Sequence, residues 1–395
     1  MQLARAALVL ASAAAAAAAA AAVAPATACT SDEGCSLNGR CAGGACVCDA
    51  GWRGASCGEL AVVPGAAALG YHNESAGVGA SWGANAVFAD GAWHAFVAEM
   101  THNCTLNDYG SNSRIIRATS TAGPAGPYAF ADVVVAPFAH NPTVRELPDG
   151  SFVLFMIGGT PADERNCSSG GAARPPRAAA AAADDDPSGI AVSWAPRVTG
   201  PWSAPRRVEF SHYNGTQLNC SFTNPSPHVL ANGSVLLAFQ GGYCHEIIPG
   251  VGEENIGVAL APSWDGVFAL VTGRPIVEPP PWCVAGLGED PFLWQNAAGH
   301  LHMLIHGMCF APFNAVHAFS RDGVAWALAD TAPYSYAVNY TDAGAALYWR
   351  VERPQLAFGA DGAPTTLFNG VCGDGLACLE TPGKTWTLAR PLAAQ

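Results

Sequence analysis

The sequence predicts a mostly β chain: a five-bladed β-propeller preceded by a small disulfide-rich module. Three observations carry that expectation. Six of the 14 cysteines fall between residues 29 and 57, five hairpin patterns recur between residues 60 and 392, and no segment of that long region repeats with helical periodicity.

The first element is an export signal. Residues 1–28 hold one positive charge, Arg5, then an Ala-rich apolar stretch and a small-residue site at Ala26-Thr27-Ala28, the order of a cleavable secretory segment. Seven Asn-x-Ser/Thr sequons, at Asn73, Asn103, Asn166, Asn214, Asn219, Asn232 and Asn339, fit a secreted, extracellular and glycosylated chain. No later window approaches the ~20 consecutive apolar residues of a membrane span, so no transmembrane span is expected. The net charge of -13, with Lys384 the only lysine, argues against nucleic acid, whose phosphates need clustered cations. Only 12% of residues are charged, so neutral polar groups, Gly and Pro must build much of the surface.

The second element is the cysteine-rich stretch CTSDEGCSLNGRCAGGACVCDAGWRGASC. A segment this short cannot bury a core of its own, so in an exported chain Cys29, Cys35, Cys41, Cys46, Cys48 and Cys57 form a disulfide framework. Six cysteines allow 15 pairings, and spacing alone does not choose among them. Cys46-x-Cys48, Gly51-Trp52, Gly54 and Cys57 resemble the C-terminal half of an epidermal growth factor (EGF)-like module, placed at residues 29–58. The resemblance implies Cys29–Cys41, Cys35–Cys46 and Cys48–Cys57. Calcium-binding members carry an acidic pair just before the first cysteine; here Thr27-Ala28 stands there, so no calcium is expected. Such a module serves either as a contact surface for a protein partner or as a passive stalk.

The third element, residues 60–392, is built from repeats. Apolar runs on either side of a turn recur at 83–100, 140–159, 223–242, 289–308 and 352–371. Asp90-Gly91, Asp149-Gly150, Asn232-Gly233 and Asp361-Gly362 each predict a hairpin turn, because these pairs accept positive φ. A weaker strand pair follows each hairpin, and four strands make one propeller blade. Pro142, Pro225, Pro291 and Pro354 are spaced 83, 66 and 63 residues apart, leaving room for long loops. One of these, near 160–188, is polar and Ala-rich and is expected to be disordered.

Five units whose inner strands open on Asn-Pro, Asp-Pro or Glu-Arg-Pro resemble the five-bladed propellers of glycoside hydrolase families 43 and 32, the arabinanase- and invertase-like enzymes. The resemblance implies that inner-strand starts line an axial funnel and carry catalytic carboxylates. The matching positions are Asn85, Asn141, Asn224, Glu289-Asp290 and Glu352-Arg353. Family 43 enzymes place Asp, Asp and Glu on the first three blades, where this chain has Asn; its carboxylates stand on the fourth and fifth. Glycoside cleavage usually needs two carboxyl groups, and Asn cannot trade a proton at neutral pH. Second-strand ends return to the same face, adding Glu99, Ile157, Gln240, His306 and Asn369.

The expected catalytic set is Glu352 as general acid, Asp290 as base or charge stabiliser, and Glu99 as auxiliary carboxylate. Trp82, Asn85, His140, Asn141, Asn224, Gln240, Glu289, His306, Arg353 and Asn369 are expected to contact the sugar. His306 is an acid-base group, a metal ligand or a hydrogen-bonded wall residue; Trp82 stacks on sugar or belongs to the core; Arg353 holds a substrate carboxylate or neutralises Glu352. No metal or cofactor is called for. The eight propeller cysteines are assigned as Cys220–Cys244, Cys283–Cys309, Cys372–Cys378 and Cys104–Cys167, the first two bracing loops at the funnel rim. The sequence therefore predicts a secreted protein that hydrolyses or binds carbohydrate, the alternative being a catalytically inactive carbohydrate- or protein-binding ectodomain.

Overall fold

A computed structural model describes residues 29–161, 163–169, 188–242, 254–278, 286–308, 315–373, 375 and 377–394. The signal segment, most of the loop predicted near 160–188, the Cys283–Cys309 pair and Cys244 lie outside these residues. Five sheets form the blades of a propeller, antiparallel except for the outermost strand of the third, Phe210–Ser211, which pairs parallel with Phe268–Leu270. Their inner strands, in order from blade I to blade V, are Ala80–Ala89, Ala139–Glu146, Cys220–Val229, Gly288–Gln295 and Arg350–Phe358. Each pairs with the strand that follows it in sequence, as the hairpin patterns predict.

The turns come in two kinds. Asp90-Gly91 is a two-residue turn with both φ angles positive. Blades II to V instead use five-residue loops in which only the fourth residue, Gly150, Gly233, Gly299 or Gly362, has positive φ. All four loops repeat the same pair of backbone bonds, as in Leu147 N to Ser151 O and Gly150 N to Leu147 O.

Closure comes from outside the repeats. Blade V takes its outermost strand, Gly70–Tyr71, from the chain ahead of blade I, pairing Tyr71 with Thr387 and Gly70 with Leu388. Apolar side chains fill the gaps between blades: Phe155 with Phe222, Phe239 and Phe268 between II and III, and Leu293, Met303 and Ile305 with Ile256 and Val258 between III and IV. Among the described residues no helix is long and apolar enough to cross a membrane.

The N-terminal segment has the disulfides Cys29–Cys41, Cys35–Cys46 and Cys48–Cys57 around a hairpin, Gly39–Ala42 with Ala45–Cys48. Cys104–Cys167 and Cys372–Cys378 are also formed, and Cys220 is disulfide-bonded. Of the sequons, Asn166, Asn214, Asn232 and Asn339 are exposed, whereas Asn73, Asn103 and Asn219 are half-buried.

The cysteine-rich module is no stalk. Trp52 stacks on Trp294 of blade IV (6.2 Å between centroids, 13° between planes) and lies 4.9 Å from the His317 ring. Trp52, Cys57 and Leu60 share one apolar cluster with Phe292, Val351 and Leu356. Asn296 Nδ2 donates to Leu37 O (3.0 Å), and a Cβ on Gly51 would meet Pro364 at 2.7 Å. Asn296 and Pro364 border the hairpin loops of blades IV and V, so the module docks at the end of the propeller opposite the inner-strand starts. Truncating Trp52 to Ala should cost about 3–5 kcal/mol of stability in chemical denaturation; an unchanged midpoint would mean the module and propeller are uncoupled.

Candidate functional site

Every inner strand breaks register near its start, and each break carries a residue in the left-handed region. These residues are Gly83 (φ 68°), Asn141 (54°), Asn224 (48°), Asp290 (55°) and Arg353 (55°). Gly, Asn and Asp tolerate this region, but a bulky Arg rarely occupies it. Arg353 lies against blade I, where a Cβ on Gly83 would approach Arg353 Cβ to 2.9 Å. The bulges turn the side chains at these positions toward one another. Arg353 Nη1 donates to Asp290 Oδ1 (3.0 Å), Asn141 Nδ2 to the same oxygen (3.3 Å) and to Asn224 Oδ1 (2.6 Å), and Asn224 Nδ2 to Gln240 Oε1 (2.5 Å).

A second group of charges adjoins this chain of bonds on blades IV and V. Glu289 and His306 face each other across the strand pair, with Oε1 and Nδ1 3.1 Å apart. His306 Nε2 is 3.6 Å from Glu352 Oε1, which accepts from Arg350 Nη1 at 2.7 Å. One ligand atom each from Glu289, Asp290 and His306 fall within 4.8 Å of one another. A metal ion there would compete with cations already in place, Arg353 on Asp290 and a protonated His306 on Glu289.

Burial and charge set the protonation of these groups. Burial pushes Asp290 up to about 7, against the pull of Arg353. Burial also raises Glu352, with His306 and Arg350 opposing. For Glu289 burial is outweighed by the hydrogen bond and charge of His306 and by Arg350 and Arg353, so its carboxyl stays below the ordinary value. His306 goes the other way: burial would lower it, but Glu352, Glu289 and Asp290 together raise it to about 9. His140, with Nδ1 2.7 Å from Ser113 Oγ, falls to about 3 through burial and the Arg353 charge and is neutral.

Four expected site residues stand elsewhere. Asn85 is two residues beyond Gly83, the true counterpart of Asn141, and ties blades together: its Oδ1 accepts from Val144 N (2.9 Å) and its Nδ2 donates to Gln355 (3.1 Å). Glu99 faces blade V rather than the funnel and is fully buried. There it accepts from Tyr71, Ser75 (2.8 Å) and Arg114 (2.9 Å), fastening the closing strand to blade I. Trp82 packs into a slot made by Gly370, whose absent Cβ would lie 2.5 Å from the indole, and joins a core with Met100 and Cys104. Asn369 is one residue off, because Gly370 stands opposite Glu352; its Nδ2 donates to Glu352 O (3.1 Å) while its Oδ1 accepts from Arg390 (2.7 Å).

Sequence reasoning overlooked Arg350, which shares a strand face with Glu352, and Tyr109, whose ring centroid is 5.0 Å from that of His140. It also overlooked Tyr336, whose hydroxyl is pushed up by burial and by Glu352. The i, i+2 spacing of Arg350 and Glu352 on a strand was a readable signal; Tyr109 and Tyr336 lie in connections without a repeat pattern.

Comparisons with known proteins agree with this architecture. Residues 31–59 match the family model of the Teneurin-like EGF domain. No curated protein matches the chain in sequence. Among solved structures, the chain is similar to the catalytic domain of a Coprinopsis cinerea GH62 alpha-L-arabinofuranosidase, with 13% identity and a TM-score of 0.55 over 85% of this chain and 98% of that one. It is also similar to Zg3597, a family 117 glycoside hydrolase of Zobellia galactanivorans, with 14% identity and a TM-score of 0.52 over 82% and 87% of the two chains. A thermostable family-43 glycoside hydrolase aligns at 12% identity with a TM-score of 0.51, covering 85% and 93%. At these identities the likeness establishes the five-bladed fold.

The His306 proton is directly measurable. Its folded pKa exceeds the unfolded value near 6.5, so its contribution to stability is fully present below about pH 6.5 and is lost as pH rises through about 9. An NMR titration, with His306→Gln to assign the resonance, should place the imidazole midpoint near 9; a midpoint at or below 6.5 would mean that the carboxylates do not hold it charged.

Proposed function

We propose that this is an exported, glycosylated protein whose propeller binds carbohydrate at the funnel end of blades IV and V, while the EGF-like domain offers a rigid second surface to a protein partner. One observation supports the carbohydrate reading most. Each carboxylate at that end has its own cation, Arg353 on Asp290, His306 on Glu289 and Arg350 on Glu352, beside the amides of Asn141, Asn224 and Gln240. Alternating fixed donors and acceptors suit sugar hydroxyls, which both donate and accept. The docked module, at the opposite end, leaves this face clear of its contacts.

Hydrolysis is the second reading, favoured by the raised carboxyls of Asp290, at about 7, and Glu352. In it Glu352 protonates the leaving oxygen and Asp290, ionised, draws a proton from water or stabilises the developing charge. Against it, Asp290 is 4% exposed and its Oδ1 already accepts from both Arg353 and Asn141.

One experiment separates the readings: the full chain is assayed for retention and for reducing-end release on a panel of pentose and hexose oligosaccharides. Retention without release is the expected result. Release that falls by about 10²-fold or more in Glu352→Gln would establish hydrolysis instead, and neither retention nor release would overturn both.

A further inference from the structure

The funnel group differs from a glycosidase triad in its balance of charge. Blades I to III contribute Gly83, Asn141 and Asn224 to the left-handed ring, so none of these three positions supplies a negative charge. Blades IV and V supply three carboxylates, but Arg350, Arg353 and His306 answer them one for one. Burial raises Asp290 and Glu352, while His306, which burial alone would lower, is raised by the charges of Glu352, Glu289 and Asp290.

Unused hydrogen-bonding capacity points the same way. His306 Nε2 is buried, has no hydrogen-bond partner among the described residues, and stops 3.6 Å short of Glu352. Arg350 donates from Nη1 to Glu352; its Nε has no hydrogen-bond partner among the described residues, its guanidinium carbon lies over the Trp349 ring (4.6 Å to the centroid), and a third of its side chain is exposed. A charged imidazole N–H and a third-exposed guanidinium flanking one carboxylate are donors waiting for an acceptor, and a charged acceptor gains most from them.

We propose that the ligand of this funnel is an acidic sugar, its carboxylate or sulfate held by Arg350 and His306 with Arg353 behind them, an inference that rests on the carbohydrate reading above. The rest of the molecule supports local recognition over bulk attraction. A chain of net charge -13 repels a polyanion on average, so any affinity for one must arise where the cations are gathered.

The test compares ligands that differ only in charge. The full chain is titrated calorimetrically at ~0.15 M salt, where bulk charge is screened beyond about 8 Å, with polygalacturonate oligomers and their methyl esters, and with a sulfated galactan and its desulfated form. Binding of the acid over the ester, or of the sulfated over the desulfated glycan, by about tenfold or more is expected, and the pair that shows it tells carboxylate from sulfate. Arg350→Gln, at a third-exposed position, should remove most of that difference. Equal or tighter binding of the uncharged member of both pairs would overturn the acidic-sugar proposal while leaving carbohydrate binding intact. Failure to bind any of the four, together with failure to bind any neutral oligosaccharide, would overturn both.

Discussion

The site depends on one backbone constraint: each of the five inner strands turns through the left-handed region at the same place, at Gly83, Asn141, Asn224, Asp290 and Arg353. A regular strand would send successive side chains to alternate faces, into the gaps between blades. The bulge instead aims the side chains of blades II to V toward the axis, where Asn141 can reach Asn224 and Asp290, and Asp290 can reach Arg353. Bulges at a functional rim re-aim a side chain at a local conformational cost, and the Arg at φ 55° is the member of this ring that makes the cost most evident.

Electrostatics follows from that convergence. Five acidic residues brought together at one axis could not all ionise. Here the ring carries one acid, one Arg, two amides and a Gly, and the other two acids stand one position earlier on blades IV and V, next to His306. The result is a set of neutralised pairs in which burial, rather than like-charge repulsion alone, governs Asp290.

Much of this was legible in the sequence, and three of the misses share a cause. Hairpin count and blade count follow from local signals, turn dipeptides and apolar runs, and the three module disulfides are those that the EGF-like resemblance implies. Asn85, Glu99 and Asn369 were misplaced by one or two residues, because a bulge inserts a residue that no pattern of apolar positions reveals, and a one-residue slip turns a side chain to the other face. Glu99 shows the consequence: it anchors Tyr71 and Arg114 instead of facing sugar. The closing strand was missed for a different reason, since two residues, Gly70 and Tyr71, carry no periodicity at all. Docking of the module through Trp52 was equally invisible, because a Trp after Gly51 reads the same whether it packs within its own domain or against Trp294.

The module and the funnel therefore lie at opposite ends of the propeller, linked by the apolar cluster that runs from Trp52 to Val351, one residue from Glu352. A crystal structure of the full chain soaked with a bound oligosaccharide tests the central claim most directly. Sugar density in contact with Arg350 and Glu352 is the predicted result. Density confined to any other surface would contradict it.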